Sequence, residues 1–550
     1  MDDYDVSNLP LETIVIFICS TTGQGEMPRN AHKFWKVLLR RKLPPSLLSS
    51  VEFATFGLGD SSYPRFNWAV RKLHKRLLQL GAREFAERGE GDEQHTEGIE
   101  PVFEAWCELV LEKLIHLYPL ESGIDPIPEK QLLPPRYKLL VHTDKIRRAS
   151  DNSETATSRP AVNIGTVISN SRITAEDHFQ DVRHLKFSSD EALSYKPGDT
   201  VALYPKNDIS DVDNLIKHLQ FEDIADFPVT VNEEYSSAIA GGLVSPLTLR
   251  SLFIYHLDLM AIPRRTFFSQ AWHFSVDNER EQERLYEFST LEGLQDLFDY
   301  ANRPRRSILE TITEFDSLKI PVEYVLDLFP ILRPRLFSIA SPTPLSGSLT
   351  PEIELAIAIV KYKTIIRRIR RGICSRWVED LKGGDQIPFN IFRTPFNPDD
   401  SRPYLMIAPG TGVAPMRSLI LTRQATVTGT QKVPDALFFG CRYEHKDYYF
   451  KEDWEPLVRA GKLEVYASFS RQNGGYVQDK LYANSTKVGQ LVAQHNAIVY
   501  VCGSAGAMPR QVRITIITIL QETQNWTAEQ AEEYVATMER QGRYLQETWS

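Results

Sequence analysis

Both ends of this chain follow one pattern: a short run of consecutive apolar residues, a glycine turn, then a helix. Residues 14–18 (IVIFI) run into residues 21–25 (TTGQG), residues 51–56 (VEFATF) into residues 57–63 (GLGDSSY), and residues 404–408 (YLMIA) into residues 409–415 (PGTGVAP). Apolar strands alternating with helices specify a parallel, doubly wound sheet whose turns gather at the carboxyl ends of the strands. Apolar residues at three- and four-residue spacing predict helices over residues 30–39, 68–80 and 106–117. Further strands of the parallel kind are expected at residues 436–440, 463–469 and 498–501.

Between the two ends the pattern changes. Residues 162–169, 184–187 and 195–204 are short β runs separated by turn signals, which predicts an antiparallel barrel. Residues 208–325 then turn helical, as an insertion, and strands return at 333–341 and 352–362. A chain of 550 residues is too long for one core. The expected organisation is a doubly wound domain at 1–118, a Pro-, Ser- and charge-rich linker at 119–160, a β-barrel domain at 161–398 with its helical insertion at 208–325, and a second doubly wound domain at 399–550.

Composition narrows the function classes. A net charge of -9 argues against a general nucleic-acid binder. The five cysteines are an odd number, far apart and without a CxxC pair, which points to a reducing compartment and away from a metal site in this chain. No apolar run approaches the roughly 20 residues that span a bilayer, so a soluble protein is expected.

The stretch 333–341, RPRLFSIAS, carries the most chemistry. An Arg, an aromatic and a hydroxyl on one short strand can pair with a pyrophosphate, cover a flavin ring and reach its reacting edge. A plain strand after a Pro-rich turn is the competing reading, and its downstream company decides against it. Gly372, Ile373, Cys374 and Ser375 lie just before a helix predicted at 376–381, and free amides at a helix N-terminus suit a pyrophosphate. The arginines at 367–371 could neutralise the same phosphates, although a solvated charged edge suffices for most of them. Paired glycines around Thr411 open another helix, with Pro415 in its first turn, and suit a nucleotide diphosphate. Cys502 ends the last parallel strand at the ligand edge of that sheet, with a buried inert thiol as the alternative. At the amino end, the turns 21–25 and 57–67, with Tyr63 and Phe66, and a third turn at 89–93, form a second candidate cofactor site.

In this order, residues 19–30 (CSTTGQGEMPRN), 56–67 (FGLGDSSYPRFN), 78–85 (LQLGAREF), 302–310 (NRPRRSILE), 333–341, 408–418 (APGTGVAPMRS), 438–450 (FFGCRYEHKDYYF) and 547–550 (ETWS) resemble the diflavin reductases. Within them the chain is most similar to the branch serving cytosolic iron-sulfur protein assembly. The resemblance covers nearly the whole chain outside the linker. It implies a flavodoxin-like FMN domain, a ferredoxin-NADP-reductase-like FAD barrel and an NADP-binding domain. For FMN it implies Ser20, Thr21, Thr22, Gly23, Leu58, Gly59, Asp60, Ser61, Ser62, Tyr63, Pro64, Arg65, Phe66, Asn67 and Glu93, with Tyr63 stacking on the ring. For FAD it implies Arg303, Arg335, Leu336, Phe337, Ser338 and the Gly372, Ile373, Cys374, Ser375 turn, with Trp549 covering the ring. For NADPH it implies Thr411, Ser470, Arg471, Tyr476, Val477 and Gln478. Ser338, Cys502 and Glu547 would surround the hydride path. The implied acceptor is an anamorsin-type [2Fe-2S] protein, and the implied location is the cytoplasm, with mitochondria as a second site.

Three departures from the family qualify these expectations. Met1 falls where the family's second strand is ending, so a first βα unit carrying the FMN phosphate loop is expected to be missing and FMN to bind poorly. A FAD-only diaphorase, or a scaffold that passes no electrons, is the alternative function that follows. Phe337 stands where much of the superfamily has Tyr, which keeps stacking and removes a phenolic hydrogen bond. The loop 470–476 is short and lacks the family's Lys, leaving Arg471 as the main charge for a 2′-phosphate and weakening the preference for NADPH.

Overall fold

The computed structural model describes the chain except for residues 24, 62, 64, 96–97, 122, 124–126, 129, 144–161, 190–192, 345–350, 366, 427–432, 473 and 550. By packing, the chain divides into two compact units. One comprises Met1–Gln131 with Ser504–Gln511 and Gln546–Ser550, the other Leu132–Gly503 with Val512–Leu545.

In the first unit, β1 (Ile14–Ser20), β2 (Glu52–Gly59), β3 (Arg83–Glu84) and β4 (Gly89–Asp92) form one parallel sheet. β2 is central and pairs with the other three. Its residues Phe53, Ala54, Thr55 and Phe56 are fully buried, as expected of a strand covered on both faces. The helix Trp68–Gln79 buries Ala69, Val70, Leu73, His74 and Leu77, a single stripe at helical spacing. β1 lies at the sheet's edge, and its Ile16 and Ile18 are 42% and 47% exposed.

The second unit holds the expected barrel and the second doubly wound sheet. β6 (Asn163–Arg172), β7 (Val182–Ser189), β8 (Thr200–Leu203), β10 (Arg335–Ser338), β11 (Glu352–Ala358) and β14 (Gln386–Phe392) form an antiparallel sheet ordered β10-β8-β14-β6-β7-β11. Its core includes Val167, Leu185, Phe187, Val201, Leu355 and Phe389. Between β8 and β10 a block of helices runs from Ile209–His218 to Val325–Leu328 around its own apolar core. β12 (Lys361–Lys363) and β13 (Ile369–Arg371) make a small hairpin after β11.

One part of the segment read as a linker does more than connect. β5 (Leu139–Val141) pairs antiparallel with β9 (Val229–Val231) inside the helical block. Leu132 and Tyr137 pack against the same core, in which Leu139 is buried. Apolar residues following the Pro-rich run gain burial there, and this outweighs the local turn signals.

β15 (Tyr404–Pro409), β16 (Asp435–Cys441), β17 (Leu463–Phe469), β18 (Ile498–Ser504) and β19 (Tyr544–Trp549) form the last sheet, ordered β17-β16-β15-β18-β19. β15 pairs in parallel with β16 and β18, and β16 with β17. The helix Val413–Thr426 follows β15 directly.

Candidate functional site

In the first unit three turns meet at the carboxyl edge of the sheet. Thr21 N–H donates to the Leu58 carbonyl (2.9 Å), Glu93 N–H to the Gly59 carbonyl (2.8 Å), and Ala69 N–H to the Thr21 hydroxyl (3.3 Å). Ser61 N–H donates to Asp92 (2.9 Å), and Asp92 also accepts from Gln94 N–H (3.0 Å). Burial works against the Asp92 carboxylate, but these hydrogen bonds hold its pKa below the usual range. Gly23 has φ +51°, which glycine accepts at no steric cost, while the Thr22 hydroxyl bonds the Met27 carbonyl (3.2 Å).

Asn67 holds the centre of this cluster. It is fully buried with φ 54°, and its Nδ2 donates to the Gly91 carbonyl (3.1 Å). Its Oδ1 has no partner among the described residues. A Cβ on Gly57 or Gly59 would meet that oxygen at 2.7 or 2.6 Å, so both glycines are needed for its approach. Tyr63 is partly exposed, Phe66 lies under the Arg71 guanidinium (5.7 Å), and Arg65 lies over Trp68 (5.3 Å). Ser20 ends β1, and Asp60 accepts from Tyr63 N–H (3.2 Å). Ser62 and Pro64 lie outside the described residues. Turn amides and an aromatic on the rim suit a planar, polar-edged ring.

In the second unit β10 pairs with β8, placing Arg335 opposite Leu203 and Ser338 opposite Thr200. Phe337 leans on the barrel core with part of its ring open, whereas Leu336 is 60% exposed. The helix predicted at 376–381 begins earlier, spanning Ile373–Asp380 with Gly372 at its N-cap and no side-chain cap. The amides of Ile373, Cys374 and Ser375 therefore fall in the first turn, where a helix offers them no internal acceptor. Ser375 Oγ accepts from Val360 N–H (2.8 Å), which leaves its own proton to donate. Burial pushes the Cys374 thiol up to about 12, and the nearby Arg335 charge only partly opposes this. Guanidinium, hydroxyl and free amides thus converge in a donor set that fits a pyrophosphate.

Most arginines of the 367–371 run serve as clamps. Arg368 and Arg370 both pair with Glu310 (2.8 and 2.6 Å), Arg370 reaches the Pro304 carbonyl (3.4 Å), and Arg371 pairs with Glu379 (3.4 Å). These contacts tie the 302–310 segment to the hairpin leading into Gly372. Arg303 itself is held by Asp299 (3.3 Å) on its own turn.

The nucleotide turn is built on close backbone approach. Gly410 has φ +58° with open space beside it, while a Cβ on Gly412 would meet the Cys502 carbonyl oxygen at 2.2 Å. Thr411 and Cys502 are thereby brought together, and Cys502 is fully buried. Across the sheet, Ser470 N–H donates to the Cys441 carbonyl (2.9 Å) and Arg471 N–H to the Arg442 carbonyl (3.0 Å). Arg471 and Tyr476 are exposed, Gln478 is half-buried and Val477 is buried. Tyr476 N–H bonds Asp479 (2.7 Å) at the start of the next helix. An open glycine turn leading into a 14-residue helix, with the Thr411 hydroxyl in the turn, fits a dinucleotide phosphate. Glu547 and Trp549 lie on β19, with Trp549 39% exposed and its carbonyl bonded by Ala505 N–H (2.7 Å).

Some residues the sequence reading missed also bear on these sites. Asp258, in the helical block, faces Arg335 at 4.0 Å and accepts from Met260 N–H (3.1 Å). No local pattern marks it, because its partner is 77 residues away in a strand. Asp92 carried a signal, the acidic residue at the end of a glycine turn.

Comparison with known proteins finds a family match in each of three regions. Residues 1–106 match the flavodoxin family, residues 157–377 the FAD binding domain, and residues 406–513 the oxidoreductase NAD-binding domain. A Yarrowia lipolytica protein named NADPH-dependent diflavin oxidoreductase 1 is 48% identical over 574 residues, covering 98% of this chain and 81% of the relative. Proteins of the same name from Debaryomyces hansenii and Candida albicans are 48% and 44% identical, each covering 100% of this chain and 93% of the relative.

Proposed function

Since the chain belongs to the NADPH-dependent diflavin oxidoreductases and has their flavodoxin, FAD-binding and nucleotide-binding domains, we propose that it delivers electrons to the [2Fe-2S] cluster of an anamorsin-type partner in cytosolic iron-sulfur protein assembly. The flavodoxin match over residues 1–106 favours two flavins over the FAD-only and scaffold alternatives. When bound, FAD takes two electrons together from NADPH and FMN passes them on singly, and the protein supplies orientation and electrostatics.

One observation carries the choice of acceptor. Two separately built ring sites occur in one chain, the three-turn cluster around Asn67 and the Arg335–Ser375 donor set. A two-electron acceptor would need only the second. Arg335 and the Gly372–Ser375 turn hold the pyrophosphate, Phe337 covers ring surface, and the Thr411 turn presents the nicotinamide nucleotide. Ser338 and Cys502 orient the reacting edge and exclude water from it. The proposed location of this work is the cytoplasm, with mitochondria as a second site. Arg471 carries the 2′-phosphate preference, and Arg471→Ala should raise the KM for NADPH about tenfold and leave that for NADH unchanged.

The test mixes NADPH-reduced protein anaerobically with a purified [2Fe-2S] partner. One electron should reach each cluster, at a rate that falls when FMN is stripped. If the same preparation reduces cytochrome c while the cluster stays oxidised, the acceptor assignment is wrong. Ser338→Ala combined with Cys502→Ala should slow flavin reduction while FAD stays bound; stopped-flow reduction at the wild-type rate would remove those roles.

A further inference from the structure

The helix Val413–Thr426 carries two buried arginines, and they face different partners. Arg423 is satisfied within its own sheet domain. It bonds Asp435 (2.9 Å) and the carbonyls of Asp399 (3.1 Å) and Arg402 (3.0 Å), and pairs with Asp400 (3.0 Å). Arg417 instead reaches into the barrel. Its Nη1 donates to the Ala340 carbonyl and to Glu354 of β11, both at 2.9 Å. Its Nε donates to Asp453 (2.6 Å), and the guanidinium lies over Phe450 (4.7 Å).

The contact matters because of what stands at each end. Ala340 lies two residues beyond Ser338, just past the end of β10, and its N–H donates to the Glu354 carbonyl (2.8 Å). Arg417 lies six residues beyond Thr411, on the helix whose opening turn is pressed against Cys502 through Gly412. Ala340, Ala356 and Ala414 pack together beside it, small enough to let helix and strand approach. On its far side Glu354 is held by His184 (2.6 Å) and Lys186 (3.6 Å), and its N–H donates to Ser341 Oγ (3.1 Å), itself bonded to Tyr195 (2.7 Å).

A buried ion network is weak evidence for stability, since apolar residues of equal volume often do as well. What a guanidinium fork adds is direction: it fixes angles and distances among several acceptors at once. We propose that Arg417 is a positioning residue for hydride transfer, holding the nucleotide turn and the flavin strand at the separation the reaction requires. Lysine keeps the charge and loses the fork, so it separates the two contributions.

The experiment compares Arg417→Lys with Arg423→Lys in the full-length, flavin-loaded protein. For Arg417→Lys, FAD content should stay at the wild-type level and NADP⁺ affinity within about threefold. The reduction rate at saturating NADPH should fall at least about tenfold, because small misplacements of reacting groups are that expensive. The long-wavelength absorbance of nicotinamide stacked on flavin should weaken in parallel. Arg423→Lys should lower the melting temperature and leave that absorbance and the saturated rate unchanged. A wild-type rate and absorbance in Arg417→Lys would overturn the proposal, and so would an equal slowing in Arg423→Lys, which would mean that any loosening of the helix suffices. If Arg417→Lys fails to retain FAD, Glu354→Gln, which keeps the acceptor's shape, is held to the same tenfold criterion.

Discussion

The two ring sites use different physics. Around Asn67 the groups are turn amides, one side-chain amide and a carboxylate on short loops, and the supporting sheet has four strands with β1 at its edge. Around β10 the site is held from behind by a buried charge network, Arg417 with Glu354, that ties a helix to the strands. Loops can shape themselves around a ring, but they set distances less strictly than a braced strand. A hydride must cross from one bound group to another at near contact, whereas single electrons tolerate a wider gap. Under the proposed assignment, the braced site is the one that receives a hydride.

This contrast is open to attack, beginning where the largest effect is expected. Gly412→Ala places a Cβ 2.2 Å from a backbone carbonyl that cannot turn away. It should cost about 3 kcal/mol and abolish NADPH-driven flavin reduction while FMN content is unchanged, as melting curves and flavin analysis would reveal. Gly59→Ala meets the Asn67 side-chain oxygen at 2.6 Å and its backbone nitrogen at 3.0 Å, a milder overlap. A cost nearer 1 kcal/mol is expected, with FMN lost selectively and FAD retained. Equal losses of both flavins would erase the distinction.

Acid probes the bracing directly. Burial favours the neutral form of Glu354, but His184 and Arg417 outweigh it and leave the carboxyl at about 2. A depressed carboxylate pKa adds stability above the unfolded value, near 4.5, and that stability is lost as pH falls through about 2. The second unit should lose about 2 kcal/mol over this window, allowing for residual solvent contact, and Glu354→Gln should flatten the dependence in acid titrations followed by near-ultraviolet circular dichroism. The smallest effect is expected at the open sheet edge. Ile16→Lys should change stability by less than about 0.5 kcal/mol and reduce self-association in sedimentation experiments.

The parallel strands were legible because continuous apolar runs have few other solutions, and β1, β2, β15 and β17 lie where the apolar runs place them. The candidate turns were legible for a related reason: glycines such as Gly59 and Gly412 mark places where no side chain fits. Less legible were elements whose partners lie far away. β5 looked like linker because three residues cannot announce a strand 90 residues downstream. The pyrophosphate helix was predicted three residues late, since Gly372 at its N-cap reads equally well as a loop.

The sequence by itself determined the doubly wound and barrel classes, the ring and phosphate turns, and the order of the three cofactor regions, because each depends on residues close together in the chain. Only the tertiary structure decided which charges act on them. Asp258 faces Arg335 across 77 residues, and Arg417 meets Ala340 across 77 more positions of chain and Glu354 across 63. Pairings over such separations leave no periodicity to read, for they exist only once a packed core has brought the partners out of water and made their geometry matter.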